Sequence, residues 1–477
     1  MATEIGGGGM GVARRASSSV AGPGPAPGER VELDVVDLNH SGEGVGRHEG
    51  FVYFVPGALP GERVAAVVEE VHRRYGRARL EAVLQPSPDR VAPACPVAGL
   101  CGGCQLQHLS YPAELAWKRR RVEAALQRVG RLGPVRVEPV WGMPAEAPWH
   151  YRNKVQFPVG LAGGRLVLGF FERGSHRIVP TEDCLIQSPG LVQAARLALE
   201  LAQQAGLAPY DEQNHEGYLR HLVVREAVSP AQVLVAFVTR TRDPLPEAVV
   251  QGLVAGLPHL VGVVQNIQPE ATNRILGREE RLLWGRPYLE EKLGPFLFRL
   301  SIQSFFQVNR VQAERLYRLA VDLADPAPGD EALDGYCGVG GITLFLAERA
   351  GTVWGVEENP QAVADARVNA QLNGIENAHF AAARLEEWLP RRVREGFRPR
   401  VAVVDPPRAG VRPEALDALA AAAVDRLAYV SCDPETLARD LAHLTTRGYR
   451  VVHVQPVDMF PRTAHVEVVA LLQPASS

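Results

Sequence analysis

A chain of 477 residues, 46% hydrophobic and 22% charged, exceeds one hydrophobic core and reads as about two to four globular domains. No run of about 18 apolar residues occurs, so no transmembrane helix is expected. A formal net charge of −3 excludes a uniformly basic nucleic-acid binder and leaves local basic surfaces as the places to meet phosphate.

Residues 1–29 are rich in Gly, Ala, Ser and Pro and lack the continuous apolar segment of a signal peptide; they read as a disordered tail on a cytoplasmic protein. Residues 30–88 alternate short β-rich runs with the turns "HSGEGVGR" and "VPGALPGERV", which predicts a small OB-like barrel. Next, Cys95, Cys101 and Cys104 stand as C-x5-C-x2-C around a Gly-Gly turn, and Cys184 in "TEDCLIQ" is the nearest unassigned thiol. Four thiolates make a tetrahedral sulfur site that zinc and an iron–sulfur cluster both accept. Six cysteines placed this unevenly suit site chemistry in a reducing compartment better than a disulfide framework.

Between Lys118 and Arg136, seven basic residues, Lys118, Arg119, Arg120 and Arg121 among them, face one acid, Glu123. This is a candidate phosphate-contacting stripe. Residues 89–299 read as an α+β domain of antiparallel character, with strands in "RLVLGFF", "QVLVAFV" and "LVGVVQNI" and one helix over 191–205. Within it "HYRNKVQF" sets Arg152 and Lys154 between Tyr151 and Phe157, a mixture of cations and aromatics that suits single-stranded RNA.

Residues 300–477 alternate strand and helix, which predicts a mostly parallel, doubly wound sheet closed by an antiparallel hairpin. One helix should start on Pro360 and stop at Gly374. In "DGYCGVGG", glycines 335, 338 and 340 let backbone approach a ligand at a strand-to-helix turn. Glu357 ends the next strand, where an acid takes ribose hydroxyls. The turn matches neither the P-loop nor the strict dinucleotide spacing, so a nucleoside ligand without pyrophosphate fits, S-adenosylmethionine above all. Asp405 in "VVDPPRAG" is held by two prolines, and Cys432 in "YVSCDPETLARDL" follows a strand over 427–430, at the sheet edge where open α/β folds present reactive groups.

Taken in order, "SFFQVN", "DGYCGVGG", "VVDPPRAG", "YVSCDPETLARDL" and "DMFPRTAHVE" resemble the signature motifs of the RNA (uracil-5-)-methyltransferase family, and residues 30–88 resemble a TRAM domain. Barrel and four cysteines together are similar to the branch that carries a 4Fe-4S cluster and acts mostly on 23S rRNA. The resemblance implies a multi-domain α/β protein: an OB-like TRAM barrel, a central α+β domain with the cluster, and a Rossmann-like class I methyltransferase domain. It implies methylation of carbon 5 of a uridine, in 23S rRNA first and tRNA second, by a chain that can work as a monomer. Cys432 matches the nucleophile, Glu467 in "HVEVV" the base, and Asp405 an orienting group. Gln307, Tyr336, Gly338, Gly341, Glu357 and Asp405 match cofactor positions, Cys95, Cys101, Cys104 and Cys184 match cluster ligands, and Arg152, Lys154 and Lys118 to Arg121 are the RNA candidates.

Two positions depart from the family pattern: Gly341, where Asn is frequent, and Arg384, where a polar side chain is common. Arg408 stands directly after "DPP" where cytosine-5 enzymes typically carry a second cysteine, which favours uracil. A non-catalytic cluster-bearing RNA binder is the rival from another class, and iron–sulfur redox chemistry is disfavoured because all four cluster thiols would serve as ligands.

Overall fold

The computed structural model describes residues 26–144, 148–181 and 183–475; of the expected tail over 1–29, residues 1–25 lie outside the described residues. Two compact units divide after Pro88. In the first, β1 (Arg30–Leu38), β2 (Gly44–His48), β3 (Phe51–Val55), β4 (Arg63–Val71) and β5 (Tyr75–Gln85) close into a barrel in the order β1-β2-β3-β5-β4. Alternating residues of β1 fill its interior: Val31, Leu33 and Val35 join Tyr53 and Val55. Gly76 lies under the Tyr53 ring, 2.5 Å from where a Cβ would stand, so no side chain fits there. Residues 26–29 already belong to this unit, since the Gly28 N–H donates to the Val68 carbonyl at 2.8 Å.

The second unit opens with α1 (Tyr111–Arg128). Its Val122, Ala125 and Leu126 share a core with Leu333 and Leu437 far along the chain. Then follow β6 (Lys154–Ala162), β7 (Arg165–Phe171), β8 (Ile178–Pro180), α2 (Pro189–Gln204), β9 (Leu219–Val228), β10 (Ala231–Thr239), α3 (Glu247–Gly256), β11 (Leu260–Ile267) and β12 (Glu279–Gly285). They build a sheet in the order β12-β11-β10-β9-β6-β7-β8. Its pairs are antiparallel except β10 with β11. The exception has a plain cause: α3 carries the chain back across the sheet, and a crossover helix makes its flanking strands parallel. A hairpin of β13 (Tyr288–Leu293) and β14 (Phe296–Ser301) comes next.

The remainder is α4 (Arg310–Ala324), β15 (Glu331–Gly335), α5 (Gly341–Ala347), β16 (Thr352–Glu357), α6 (Pro360–Leu372), β17 (Ala378–Ala382), α7 (Leu385–Arg394), β18 (Val401–Val404), α8 (Pro413–Ala421), β19 (Arg426–Ser431), α9 (Pro434–Thr446), β20 (Tyr449–Val457) and β21 (Glu467–Pro474). The sheet order is β17-β16-β15-β18-β19-β21-β20. Strands β17 to β19 run parallel, and β21 inserts antiparallel between β19 and β20. The fully apolar β18 and near-apolar β19 are what a strand covered by helices on both faces requires. No helix among the described residues is long and apolar enough to cross a membrane.

Candidate active site

The C-terminal ends of the parallel strands converge on one cavity of roughly 1170 Å³. Asp405 follows β18, its N–H held by the Gly335 carbonyl at 3.2 Å. Cys432 follows β19, immediately before Asp433, whose side chain caps α9 by accepting from the Thr436 N–H at 2.9 Å. Glu467 is the first residue of β21, which pairs Ser431 with Val468. One further step of that antiparallel register sets Cys432 opposite Glu467, and directly opposite residues of an antiparallel pair point to the same face. Both side chains line the cavity.

The other predicted cofactor positions, Gln307, Tyr336, Gly338, Gly341 and Glu357, line the same cavity. The turn after β15 is bent by left-handed residues: Tyr336 has φ 66°, Gly338 φ 53° and Gly340 φ 86°. Tyr336 is the costly one, since a non-glycine residue pays for that conformation; the Tyr336 and Cys337 N–H groups both donate to the Val356 carbonyl and hold it. Glu357 accepts from Gly338 N–H at 3.2 Å and from Asn359 N–H at 2.8 Å. A glycine-rich turn joined to an acid at the end of the neighbouring strand fits the nucleoside part of S-adenosylmethionine.

The two departures have different structural settings. At Gly341 a Cβ would stand 3.0 to 3.2 Å from the ring and hydroxyl of Tyr317, so Tyr317 occupies the space a larger residue would need. Arg384 lines the cavity but turns its guanidinium to Glu386 at 2.6 Å. Cys337 is a buried thiol whose Sγ lies 3.0 Å from the position of a Cβ on Gly355, a packing role.

The electrostatics are those of a chamber with three buried carboxyls. Burial pushes Glu467 up to about 8, with Asp405 adding to the shift and Arg408 opposing it. Desolvation pushes Asp405 up to about 7. Asp334 rises to about 8 through burial, and its one bonded oxygen accepts from Thr343 at 2.5 Å. Burial and then Glu467 push Cys432 up to about 11, while Arg408 pulls it down. Arg408, Asp334, Tyr317 and Phe305 escaped the sequence reading as cavity residues. Arg408 had a signal in its place directly after Pro406 and Pro407, and Asp334 and Phe305 stand inside the quoted "DGYCGVGG" and "SFFQVN"; Tyr317 had none.

A second cavity, roughly 520 Å³, is lined by Cys95, Cys101, Cys104 and Cys184. Burial raises Cys101, lifts Cys104 to about 12 and Cys184 to about 11. Among the described residues no set of three or more His, Cys, Asp or Glu side chains stands where one metal ion could be held. The four thiols nevertheless share one cavity whose described lining has no carboxylate or imidazole, a donor set that fits a sulfur-ligated group. Gln303, Ser304, Phe305 and Phe306 line both cavities, and Phe305 is 72% exposed.

The basic stripe needs correction. Lys118 is fully buried, with its ammonium 2.8 Å from Glu114, 2.6 Å from Asp458 and 3.2 Å from the Phe460 carbonyl, so it is closed to RNA. A helix cannot expose every residue of a basic run: position 118 shares a face with the buried Glu114, Val122 and Ala125. Arg121 also turns inward, donating to the Ala464 carbonyl at 2.7 Å and pairing with Glu435 at 3.1 Å. Arg119 pairs with Glu123 at 3.1 Å, and Arg120 is exposed. Lys154 is not free for phosphate either; it lines the thiol cavity, donates to the Ile302 carbonyl at 2.7 Å, and burial with Arg225 nearby lowers it to about 7. Arg152 is half-buried, 5.8 Å from the Phe460 ring. Replacing Lys118 by Met takes the ammonium from two buried carboxylates, leaving Glu114 with Arg462 at 3.6 Å and Asp458 with the Tyr111 hydroxyl at 2.6 Å, and should cost about 3 kcal/mol, read as a lower midpoint in urea unfolding; an unchanged midpoint would contradict the buried triad.

Comparison with known proteins follows the same outline. Residues 270–475 match the family model described as tRNA (uracil-5-)-methyltransferase, and residues 26–80 match the TRAM domain. An uncharacterized RNA methyltransferase of Halalkalibacterium halodurans is 43% identical over 444 residues, 93% of this chain and 96% of that protein. One from Listeria monocytogenes is 43% identical over 445 residues, 93% and 97% of the two chains. The crystal structure of Pyrococcus abyssi tRNA (uracil-54, C5)-methyltransferase in complex with S-adenosyl-L-homocysteine superposes with a TM-score of 0.75 at 28% identity, covering 93% of this chain and 100% of that one.

Proposed function

Since the chain belongs to the family of S-adenosylmethionine-dependent RNA (uracil-5-)-methyltransferases, we propose that it methylates carbon 5 of a uridine in 23S rRNA through a covalent adduct on Cys432. One observation carries the reading: a thiol and a carboxyl face each other across β19 and β21 on the wall of the nucleoside cavity.

Carbon 5 of uracil is too weak a nucleophile to accept a methyl group unaided. The Cys432 thiolate bonds to carbon 6, and the displaced ring electrons make an enolate nucleophilic at carbon 5. Carbon 5 then takes the methyl group from the sulfonium of the donor, whose sulfur keeps the bonding pair and becomes a neutral thioether. The Glu467 carboxylate removes the carbon 5 proton, the carbon 5–carbon 6 double bond re-forms, and the thiolate leaves. Asp405 orients the uracil ring, and Arg408 favours the ionised forms of Cys432 and Glu467, both of which it shifts downward. Phe305, exposed at the junction of the two cavities, offers a face on which an unstacked base can rest. Gln307, Tyr336, Gly338, Gly341 and Glu357 hold the donor.

Glu467 must be ionised and Cys432 deprotonated, and both fractions grow with pH. Accordingly kcat/KM should rise between about pH 6 and 9; a profile that falls over this range would contradict the pair.

Cys95, Cys101, Cys104 and Cys184 would hold a 4Fe-4S cluster, which supplies the central part with a rigid sulfur-ligated core when bound. Protein purified without oxygen should then contain iron and acid-labile sulfide; a folded protein with neither sinks the cluster. The barrel and the central part would share RNA recognition, with Arg152 and Arg120 the remaining cationic candidates.

A tRNA uridine is the second reading, favoured by the Pyrococcus abyssi enzyme's substrate. That alignment spans 93% of this chain, so architecture does not separate the two RNAs. Labelled methyl transfer to unmodified 23S rRNA and tRNA, compared as initial rates, decides: faster labelling of tRNA overturns the ribosomal assignment.

A further inference from the structure

We infer, resting on Glu467 as the base, that Gln105 is a positioning residue for the proton-abstraction step. Residues 458–466 join β20 to β21 without regular structure and deliver Glu467 to the cavity. Arg462 within this loop sits at φ 69°, a left-handed conformation that persists only when the surroundings hold it.

The loop is held by the segment 105–121, by Tyr151, and by Asn309 and Gln312, which donate to the Met459 and Asp458 carbonyls at 3.0 and 3.1 Å. Lys118 donates to the Phe460 carbonyl at 3.2 Å, Tyr151 to the Pro461 carbonyl at 3.0 Å, and Glu114 accepts from the Arg462 N–H at 2.8 Å. The Gln105 and Leu106 N–H groups both donate to the Arg462 carbonyl, at 3.1 and 3.0 Å. The Gln105 side chain links this loop to the cysteine turn. Its Oε1 accepts from the Ala464 N–H at 3.3 Å while its Nε2 donates to the Gly102 carbonyl at 2.8 Å. Gly102 lies between Cys101 and Cys104 on the turn that carries the thiols. One planar amide therefore ties the cysteine turn to a residue three positions before the base. Lys118 and Glu114 are buried ionic supports whose loss threatens the fold. Gln105 makes neutral hydrogen bonds, so its loss leaves a folded protein with a looser base loop.

The step that reads this is adduct resolution. In Gln105→Met, which keeps length and removes the amide, adduct formation and cofactor affinity should match wild type, while release of methylated RNA slows about tenfold and methylated protein–RNA adduct builds up on denaturing gels. Gln105→Glu keeps an acceptor for Ala464 and should restore release. No build-up in Gln105→Met, or equal slowing of adduct formation and release, overturns the positioning role. Should Gln105→Met fail to fold by circular dichroism, Gln105→Ala is read in its place: build-up of methylated adduct with wild-type adduct formation supports the positioning role, and no build-up overturns it. Glu467→Gln is run alongside; if it traps no methylated adduct, the fault lies in the base assignment and the positioning role falls with it.

Discussion

Glu467→Gln should methylate RNA once and then fail to let it go. Gln is nearly isosteric with Glu and cannot take a proton, so the steps before proton abstraction proceed and the last does not. Loss of a positioned general base slows its step by about 10²–10⁴-fold, enough for the adduct to become the main form of the enzyme. The check is a denaturing gel followed by mass spectrometry of the Cys432 peptide, which should carry a nucleotide whose uracil already bears the methyl group. An unmodified peptide together with free 5-methyluridine at the wild-type rate would remove Glu467 from the mechanism. Glutamine also lacks the carboxyl that helps raise Cys432. Adduct formation in this variant should therefore extend to lower pH than in wild type.

Cys432→Ala should abolish both products. Without the thiolate, carbon 6 has no nucleophile and carbon 5 never becomes an enolate, so turnover should fall by about 10⁴-fold or more. The proposed cofactor site is built from Gln307, the turn after β15, the end of β16 and the loop after β18, and Cys432 belongs to none of these segments. Calorimetric affinity for S-adenosylmethionine should stay within about twofold, a change below 0.5 kcal/mol on the scale of about 1.4 kcal/mol per tenfold. Residual methylation near the wild-type rate would mean that carbon 5 is activated some other way.

The acid-rich chamber explains why the pair suits this chemistry. Glu467, Asp405 and Asp334 are all raised by desolvation, and a cationic methyl donor entering among them favours their ionised forms. On the proposed mechanism, donor binding and activation of the base would thereby be coupled through charge. A carboxylate paired tightly with an arginine would already be ionised in the empty protein and would gain nothing from the donor.

Much of this was legible in the sequence because it depends on local chemistry. The β18 and β19 strands announce themselves as short apolar runs; Asp405 directly follows the first and Cys432 follows the second after Ser431, so the placing of both side chains at the sheet edge follows from pattern. The helix beginning on Pro360 starts where expected, since Asn359 caps it by accepting from the Gln361 N–H at 3.0 Å. What escaped is set by contacts distant in sequence. Lys118 looked like a surface cation within a basic run; its partner Asp458 lies 340 residues away, and no window of sequence reports that. Lys154 looked like an RNA contact from its aromatic neighbours, but in the β6–β9 register it pairs with Arg225 and so lies beside a second buried cation. The parallel β10–β11 pair was missed because α3 is short and contains two glycines, which weakened its helical signal. Tyr317 beside Gly341 belongs to α4, a helix for which no sequence expectation was made.

The central claim is that a thiolate-activated uracil receives the methyl group at carbon 5. Incubation of unmodified RNA with S-adenosylmethionine carrying a deuterated methyl group, followed by nucleoside mass spectrometry, tests it directly. The account predicts label in 5-methyluridine alone, with the carbon 5 hydrogen of that uridine lost. Label in 5-methylcytidine, on ribose, or in no nucleoside of either ribosomal RNA or tRNA would contradict it.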